Sequence, residues 1–134
     1  MRRAIDVSRY IGVPFRSGSH DPALGGVDCF GAVLLGFSAA GIDVPPGASC
    51  ASEPAPGYWD LVGAHERAAT RLLDVVACHT DEDAVIHVGV LIDLAARQVL
   101  TAYQAEGVRL IRASRMPRLF AVYRPAWVTM EMLE

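Results

Sequence analysis

The residues Gly26-Val27-Asp28-Cys29-Phe30-Gly31 open an apolar run that continues to residue 40 and stops at Gly41. Asp28 is a favoured N-cap residue, and hydrophobic residues on all sides are typical of a buried helix. The pattern therefore predicts a buried helix over residues 29–40, with Cys29 in its first turn. Unpaired backbone N–H groups and the helix dipole favour a thiolate at that end. Cys29 is therefore a candidate nucleophile.

The composition is that of a well-buried globular chain. Of its 134 residues, 52% are hydrophobic and 20% are charged, which predicts a single domain over residues 1–134. The net charge of −3 does not favour nucleic-acid binding, because phosphate contacts need a concentrated basic surface. No apolar run is long enough for a membrane-spanning helix, and the N-terminus lacks the apolar core of a secretion signal.

Cysteine spacing does not favour a metal site. The three cysteines, Cys29, Cys50 and Cys78, contain no C-x-x-C pair, so we expect neither a zinc site nor a disulfide framework. A single disulfide between two of these three cysteines remains an open alternative.

Outside the central run, the apolar pattern changes along the chain from helical to strand-like. Residues 4–11 and 58–72 have helical spacing, whereas residues 15–28 and 47–57 have the glycine, serine and proline content of loops. Short β-rich runs follow at 73–78, 86–92, 98–103, 108–111 and 119–123. Helices followed by consecutive strands predict an α+β fold with an antiparallel sheet of about five strands.

His87 is the candidate base. Alternation places it on one strand face with Gly89, which leaves room beside the ring. A hairpin turn centred on Leu94 would set Thr101 opposite His87, where a hydroxyl could hold the imidazole tautomer as the third member of a catalytic set. On spacing alone, a half-buried structural histidine is the favoured alternative.

The other histidines are weaker candidates. His20 lies in the loop before the central helix and could border a substrate cleft. His65 lies on the exposed side of its predicted helix, and His79 precedes an acidic turn.

Several motifs, in order, resemble the NlpC/p60 papain-like cysteine peptidases. The first three are Tyr10-Ile11-Gly12-Val13-Pro14-Phe15, the stretch from Gly26 to Gly31, and Gly41-Ile42-Asp43-Val44-Pro45. The later ones are Leu73-Asp74-Val75-Val76, His87-Val88-Gly89-Val90, and Thr101-Ala102 with Gly107-Val108. The likeness covers residues 4–126. It implies a papain-like α+β fold in which the helix carrying the nucleophile packs on the antiparallel sheet.

The resemblance also implies an activity, that of a cysteine endopeptidase acting on peptidoglycan stem peptides without metal or cofactor. By position, Cys29 would be the nucleophile, His87 the general base and Thr101 the orienting residue. The positions implied to border the substrate are Phe15, Asp28 and Phe30.

Three positions depart from the family pattern. Phe15 stands where tyrosine is usual, Phe30 where serine is common, and Thr101 where His, Asn or Gln is usual. An aromatic residue after the cysteine and the motif Val122-Tyr123-Arg124-Pro125 resemble the branch found in bacteriophage tail tips. That branch implies other tail-tip proteins as partners, synthesis in the bacterial cytoplasm and a final location in the virion tail.

Two other functions remain open at this point. One is a structural tail-tip or assembly protein with the same fold and little or no activity. The other is an amidase or acyltransferase that uses the same cysteine and histidine on non-peptide amides.

Overall fold

The computed structural model of the protein describes residues 2–48, 57–79, 85–116 and 120–134. Over these residues the chain forms one α-helix, α1 (Cys29–Ala39), and six strands. The strands are β1 (Trp59–Gly63), β2 (Val75–His79), β3 (Val85–Asp93), β4 (Gln98–Tyr103), β5 (Gly107–Arg112) and β6 (Phe120–Pro125). Short 3-10 turns lie at Ser8–Tyr10, Pro22–Leu24, Glu66–Ala68, Ala113–Arg115 and Glu131–Leu133.

The six strands form one antiparallel sheet in the order β1-β6-β2-β3-β4-β5. Helix α1 packs on β3 and β4. The predicted α+β fold is confirmed, with six strands in place of about five. Among the described residues, none of the helices is long and apolar enough to cross a bilayer.

Helix α1 begins at Cys29 because Asp28 caps it. The Asp28 backbone is extended, and its Oδ1 accepts a hydrogen bond from the Gly31 N–H at 2.7 Å. Gly36 lets the helix approach the sheet, because a Cβ there would lie 2.7 Å from Val90 Cγ1. Gly41, with φ of 73°, follows the end of the helix. The predicted central helix is therefore confirmed within a residue.

The sheet is buried on both faces. One apolar cluster lies between α1 and the sheet and contains Val75 and Ala77, whereas a second cluster contains Val76 and Cys78. This alternation along β2 shows that consecutive side chains enter opposite cores. Residues Val75 to Cys78 of β2, the strand next to β3, are therefore apolar and buried, which keeps the middle of the sheet dry.

The predicted helix over residues 58–72 is wrong. The chain instead forms β1, which pairs with β6 from Trp59 opposite Pro125, followed by the 3-10 turn Glu66–Ala68. Leu61, one of the apolar residues that give this stretch its helical spacing, is 65% exposed. Pairing with a strand about sixty residues away has overridden a local helical pattern, a long-range effect that spacing does not report.

The predicted helix over residues 4–11 is also wrong. Ala4 bridges antiparallel to Asp93, and the Ile5 N–H donates to the Ile92 carbonyl at 2.8 Å. Only Ser8–Tyr10 is helical, as one 3-10 turn. Ile5 and Val7 are both buried, so the segment has the period-two pattern of extended chain.

Some predictions fall outside the described residues. They concern Cys50, most of the 47–57 loop, the acidic turn after His79, and the start of the last predicted strand.

Candidate active site

Cys29 is the first residue of α1 and is half-buried. The loop before the helix is packed closely on this end. A Cβ on Gly31 would lie 2.8 Å from the Ser19 carbonyl oxygen, and the Asp28 N–H donates to the same oxygen at 2.9 Å. Glycine at this position therefore lets the loop hold the helix start, and the thiol with it, in a fixed place.

The Cys29 thiol meets β3 at Val88, the residue that follows His87. The backbone groups of Val88 and Phe30 lie close enough to the sulfur to favour its charged form. Val88 follows His87 directly, so helix packing brings the predicted nucleophile to the strand of the predicted base.

Burial nevertheless raises the pKa of the Cys29 thiol above its ordinary value, and the negative charge of Asp28 raises it further. The expectation that the helix end favours a resting thiolate is therefore wrong. Desolvation of a half-buried sulfur outweighs the N–H groups that point to it. Burial also lowers the pKa of the His87 imidazole. The resting pair is a neutral thiol and a neutral imidazole.

Thr101 holds the His87 ring by its edge. Thr101 Oγ1 lies 2.9 Å from His87 Nε2 and donates to the Val88 carbonyl oxygen at 2.6 Å. A hydroxyl has one hydrogen. Since that hydrogen is used on Val88, Thr101 must accept the hydrogen bond from a protonated Nε2. The Nδ1 atom of His87 is therefore left with its lone pair.

The hairpin register differs from the predicted one. Strand β3 pairs with β4 as Val90 opposite Leu100, and a bulge lies next to Asp93. The same register, continued along the strand, sets Tyr103 opposite His87 in place of Thr101. The turn is centred one residue later than predicted, which moves β4 by two residues relative to β3. Thr101 reaches His87 from the diagonal position, a distance that side chains across strands can span.

Tyr103 is a site residue that the sequence interpretation missed. Its ring stacks on the His87 ring, with 4.7 Å between centroids and 25° between planes. Tyr103 lies two residues beyond Thr101, so alternation already placed it on the same face. That signal was available in the sequence.

His20 lies closer to the site than its weak sequence signal suggested. Its ring is 5.5 Å from the Phe30 ring, and its Nε2 is 3.4 Å from Asp28 Oδ1. His65, by contrast, caps the 3-10 turn Glu66–Ala68 through Nδ1.

The predicted substrate-contacting residues have clear structural positions. Phe15 is half-buried and forms a parallel bridge with Val27, Asp28 is the helix cap, and Phe30 is 7% exposed. Their contact with a substrate stays a prediction. Within the described ranges, no three metal-binding side chains lie together.

The arrangement has the parts for nucleophilic catalysis. It offers a thiol at a helix start that meets β3, an imidazole on the same strand whose Nδ1 keeps its lone pair, and a hydroxyl that fixes the imidazole tautomer. Because both groups are neutral at rest, Nδ1 would take the thiol proton as the sulfur attacks.

Comparison with known proteins locates the fold. No protein-family model matches the sequence, and no curated protein matches it. Among solved structures, the chain resembles NlpC1 from Trichomonas vaginalis at a TM-score of 0.55 and 17% identity, over 92% of this chain and 42% of that one. This chain therefore matches less than half of that protein's length. At such identity the likeness shows the fold alone: over the described residues, the fold is NlpC/p60-like, a helix packed on a six-stranded antiparallel sheet.

Proposed function

We propose that this protein is a cysteine hydrolase that cleaves amide bonds in peptidoglycan stem peptides. The observation that carries the proposal is the meeting of Cys29 with the strand of His87, whose Nε2 is held by Thr101. The NlpC-like fold supports the reaction class, and the ordered motifs support the substrate class.

The proposed reaction begins from the neutral pair. His87 Nδ1 takes the thiol proton while Cys29 Sγ bonds to the amide carbonyl carbon, and the Cys29 backbone N–H is part of the oxyanion hole. The tetrahedral intermediate collapses as His87 gives its proton to the leaving amine, which leaves a thioester. Water, deprotonated by His87, then attacks the thioester and releases the carboxylic acid and the thiol.

The test is digestion of purified peptidoglycan, followed by mass spectrometry of the released fragments to identify the cleaved bond. We expect new amino groups from the wild type and none from Cys29→Ala. Cys78→Ala is the control for loss of a neighbouring thiol: it removes the buried thiol of the residue paired with His87 and keeps Cys29. A thiol-reactive probe should label the control and lose its Cys29 adduct in Cys29→Ala.

Other results would favour the alternatives. A folded wild type that releases no amino groups would support the structural role. Release from small non-peptide amides, with peptidoglycan intact, would support the amidase or acyltransferase function.

We further propose that the protein is a component of a phage tail tip. The aromatic Phe30 after the nucleophile and the motif Val122-Tyr123-Arg124-Pro125 support this location. Mass spectrometry of phage particles from the strain that carries the gene should detect the chain in purified tails. Intact tails without it would refute this proposal and leave the hydrolase proposal standing.

A further inference from the structure

Tyr103, at the end of β4, has no role in the reaction described above, yet its ring covers one face of the proposed base. We propose that Tyr103 is a positioning residue that holds the His87 ring by its face and keeps water from it, while Thr101 holds the ring by its edge. This inference rests on the proposed function and adds a residue to it.

The position of Tyr103 in the sheet explains why its ring packs on His87. On the β5 side its direct partner is Gly107, which has no side chain to pack against. That glycine is required, since its φ is 73° and a Cβ there would lie 2.3 Å from the Val13 carbonyl oxygen. On the β3 side, the register brings the imidazole alongside at 4.7 Å. The ring therefore packs on His87.

Two contacts together restrict the imidazole in different directions. The hydrogen bond at 2.9 Å from Thr101 sets which nitrogen carries the proton and the distance of Nε2 from β4. A hydrogen bond still allows the ring plane to rotate about its axis, and the stacked Tyr103 ring opposes that rotation. With both contacts in place, Nδ1 keeps a constant direction, which a general base requires.

Burial and the surrounding charges keep the Tyr103 hydroxyl protonated. Burial raises the pKa of the Tyr103 hydroxyl, and the ionised forms of Cys78 from β2 and Cys29 from α1 would raise it further. Arg109 on β5 acts in the opposite direction. Among the described residues, these are the titratable groups that act on Tyr103. Tyr103 is consequently a neutral phenol at the pH where His87 titrates.

The experiment compares Tyr103→Phe, which keeps the ring, with Tyr103→Leu, which removes it. Tyr58→Leu is the matched control, because Tyr58 is also half-buried and makes an edge contact with the Trp127 ring, away from the site. We would measure kcat and KM on peptidoglycan fragments against pH, and record the His87 ring nitrogens by NMR. Thermal unfolding checks that each variant is folded.

We expect Tyr103→Phe and Tyr58→Leu to keep wild-type kcat and the single Nε2–H tautomer. Tyr103→Leu should lower kcat about three- to tenfold with KM unchanged, since stacked rings contribute about 0.5–1.5 kcal/mol. Loss of the ring exposes the imidazole, so the pKa of His87, and with it the acid limb of the pH profile, should rise towards the ordinary histidine value. If Tyr103→Leu does not fold, Tyr103→Met supplies bulk without a ring.

Several outcomes would overturn the inference. Wild-type kcat and NMR signals in the ringless variants would show that the ring positions nothing. An equal loss in Tyr103→Phe would assign the effect to the hydroxyl. If the wild type has no activity, the proposed function fails, but the NMR comparison still decides whether Tyr103 orders the His87 ring.

Discussion

Replacement of Thr101 by valine tests the tautomer assignment directly. Valine has nearly the same shape, so the packing of this fully buried position is kept while the hydroxyl is lost. Two hydrogen bonds disappear, the one from His87 Nε2 at 2.9 Å and the one to the Val88 carbonyl at 2.6 Å. The variant thus removes the orienting contact of the proposed base without opening a cavity.

The size of the effect follows from the buried groups left unpaired. Such a group costs about 1–3 kcal/mol, so we expect the free energy of unfolding to fall by about that amount. The same range in the activation free energy corresponds to a loss of about 5- to 150-fold in kcat/KM. A charged orienting residue is worth more, about 10⁴-fold in the serine protease triad, because it also stabilises the imidazolium.

The assay is kcat/KM on peptidoglycan fragments, together with NMR of the His87 ring nitrogens and urea unfolding. Thr101→Ser is the matched control: it keeps the hydroxyl, loses a buried methyl, and should retain the rate at a modest cost in stability. Wild-type kcat/KM in Thr101→Val, with the Nε2–H tautomer unchanged, would refute the reasoning.

Three more predictions follow from the same structure. Burial lowers the pKa of His87, so activity should persist below pH 6.5, the ordinary histidine value, and an acid limb at or above pH 6.5 would contradict this expectation. Burial raises the pKa of Cys29, so alkylation of Cys29 should increase only at alkaline pH. Asp28→Asn keeps a good helix cap but removes the negative charge that contributes to the raised pKa of Cys29. Alkylation of Cys29 at pH 8 should therefore be faster, with little change in thermal stability, and an unchanged alkylation rate would contradict this charge effect. Arg124→Met leaves the fully buried Asp74 carboxylate without the guanidinium that binds it at 2.7 and 2.8 Å. The free energy of unfolding in urea should fall by about 3–5 kcal/mol, and a fall below about 1 kcal/mol would show that the ion pair adds little stability.

Local chemistry was enough to predict the helix that carries the nucleophile. The Asp28 cap, the apolar run and Gly41 act within one segment, so the sequence reports them directly. The later strands were predicted for a similar reason, because each is a short β-rich run between turns. Segments whose structure depends on a distant partner were missed. Leu61 has the spacing of a buried helical residue, but pairing of β1 with β6 leaves it exposed.

The same distinction between local and long-range determinants applies to the site. Cys29, His87 and Thr101 could be proposed from ordered motifs, and the structure brings all three segments together. The stacking of Tyr103 depends on a register set by the position of one turn, and a turn centred one residue too early gives a register that is wrong by two residues. The raised pKa of Cys29 depends on burial, which is a property of the assembled fold and not of a helix end.

The strand order has a consequence for how the chain folds during synthesis. Strands β2 to β5 are consecutive neighbours and can form a meander as soon as they leave the ribosome. The first of the six described strands, β1, pairs only with β6, the last to be made, and β6 lies between β1 and β2. Strand β1 therefore cannot join the sheet until β6 has been synthesised. A chain truncated before Phe120 would have the β3–β4 hairpin complete but β1 without its partner strand, a state in which an exposed edge invites pairing with other chains.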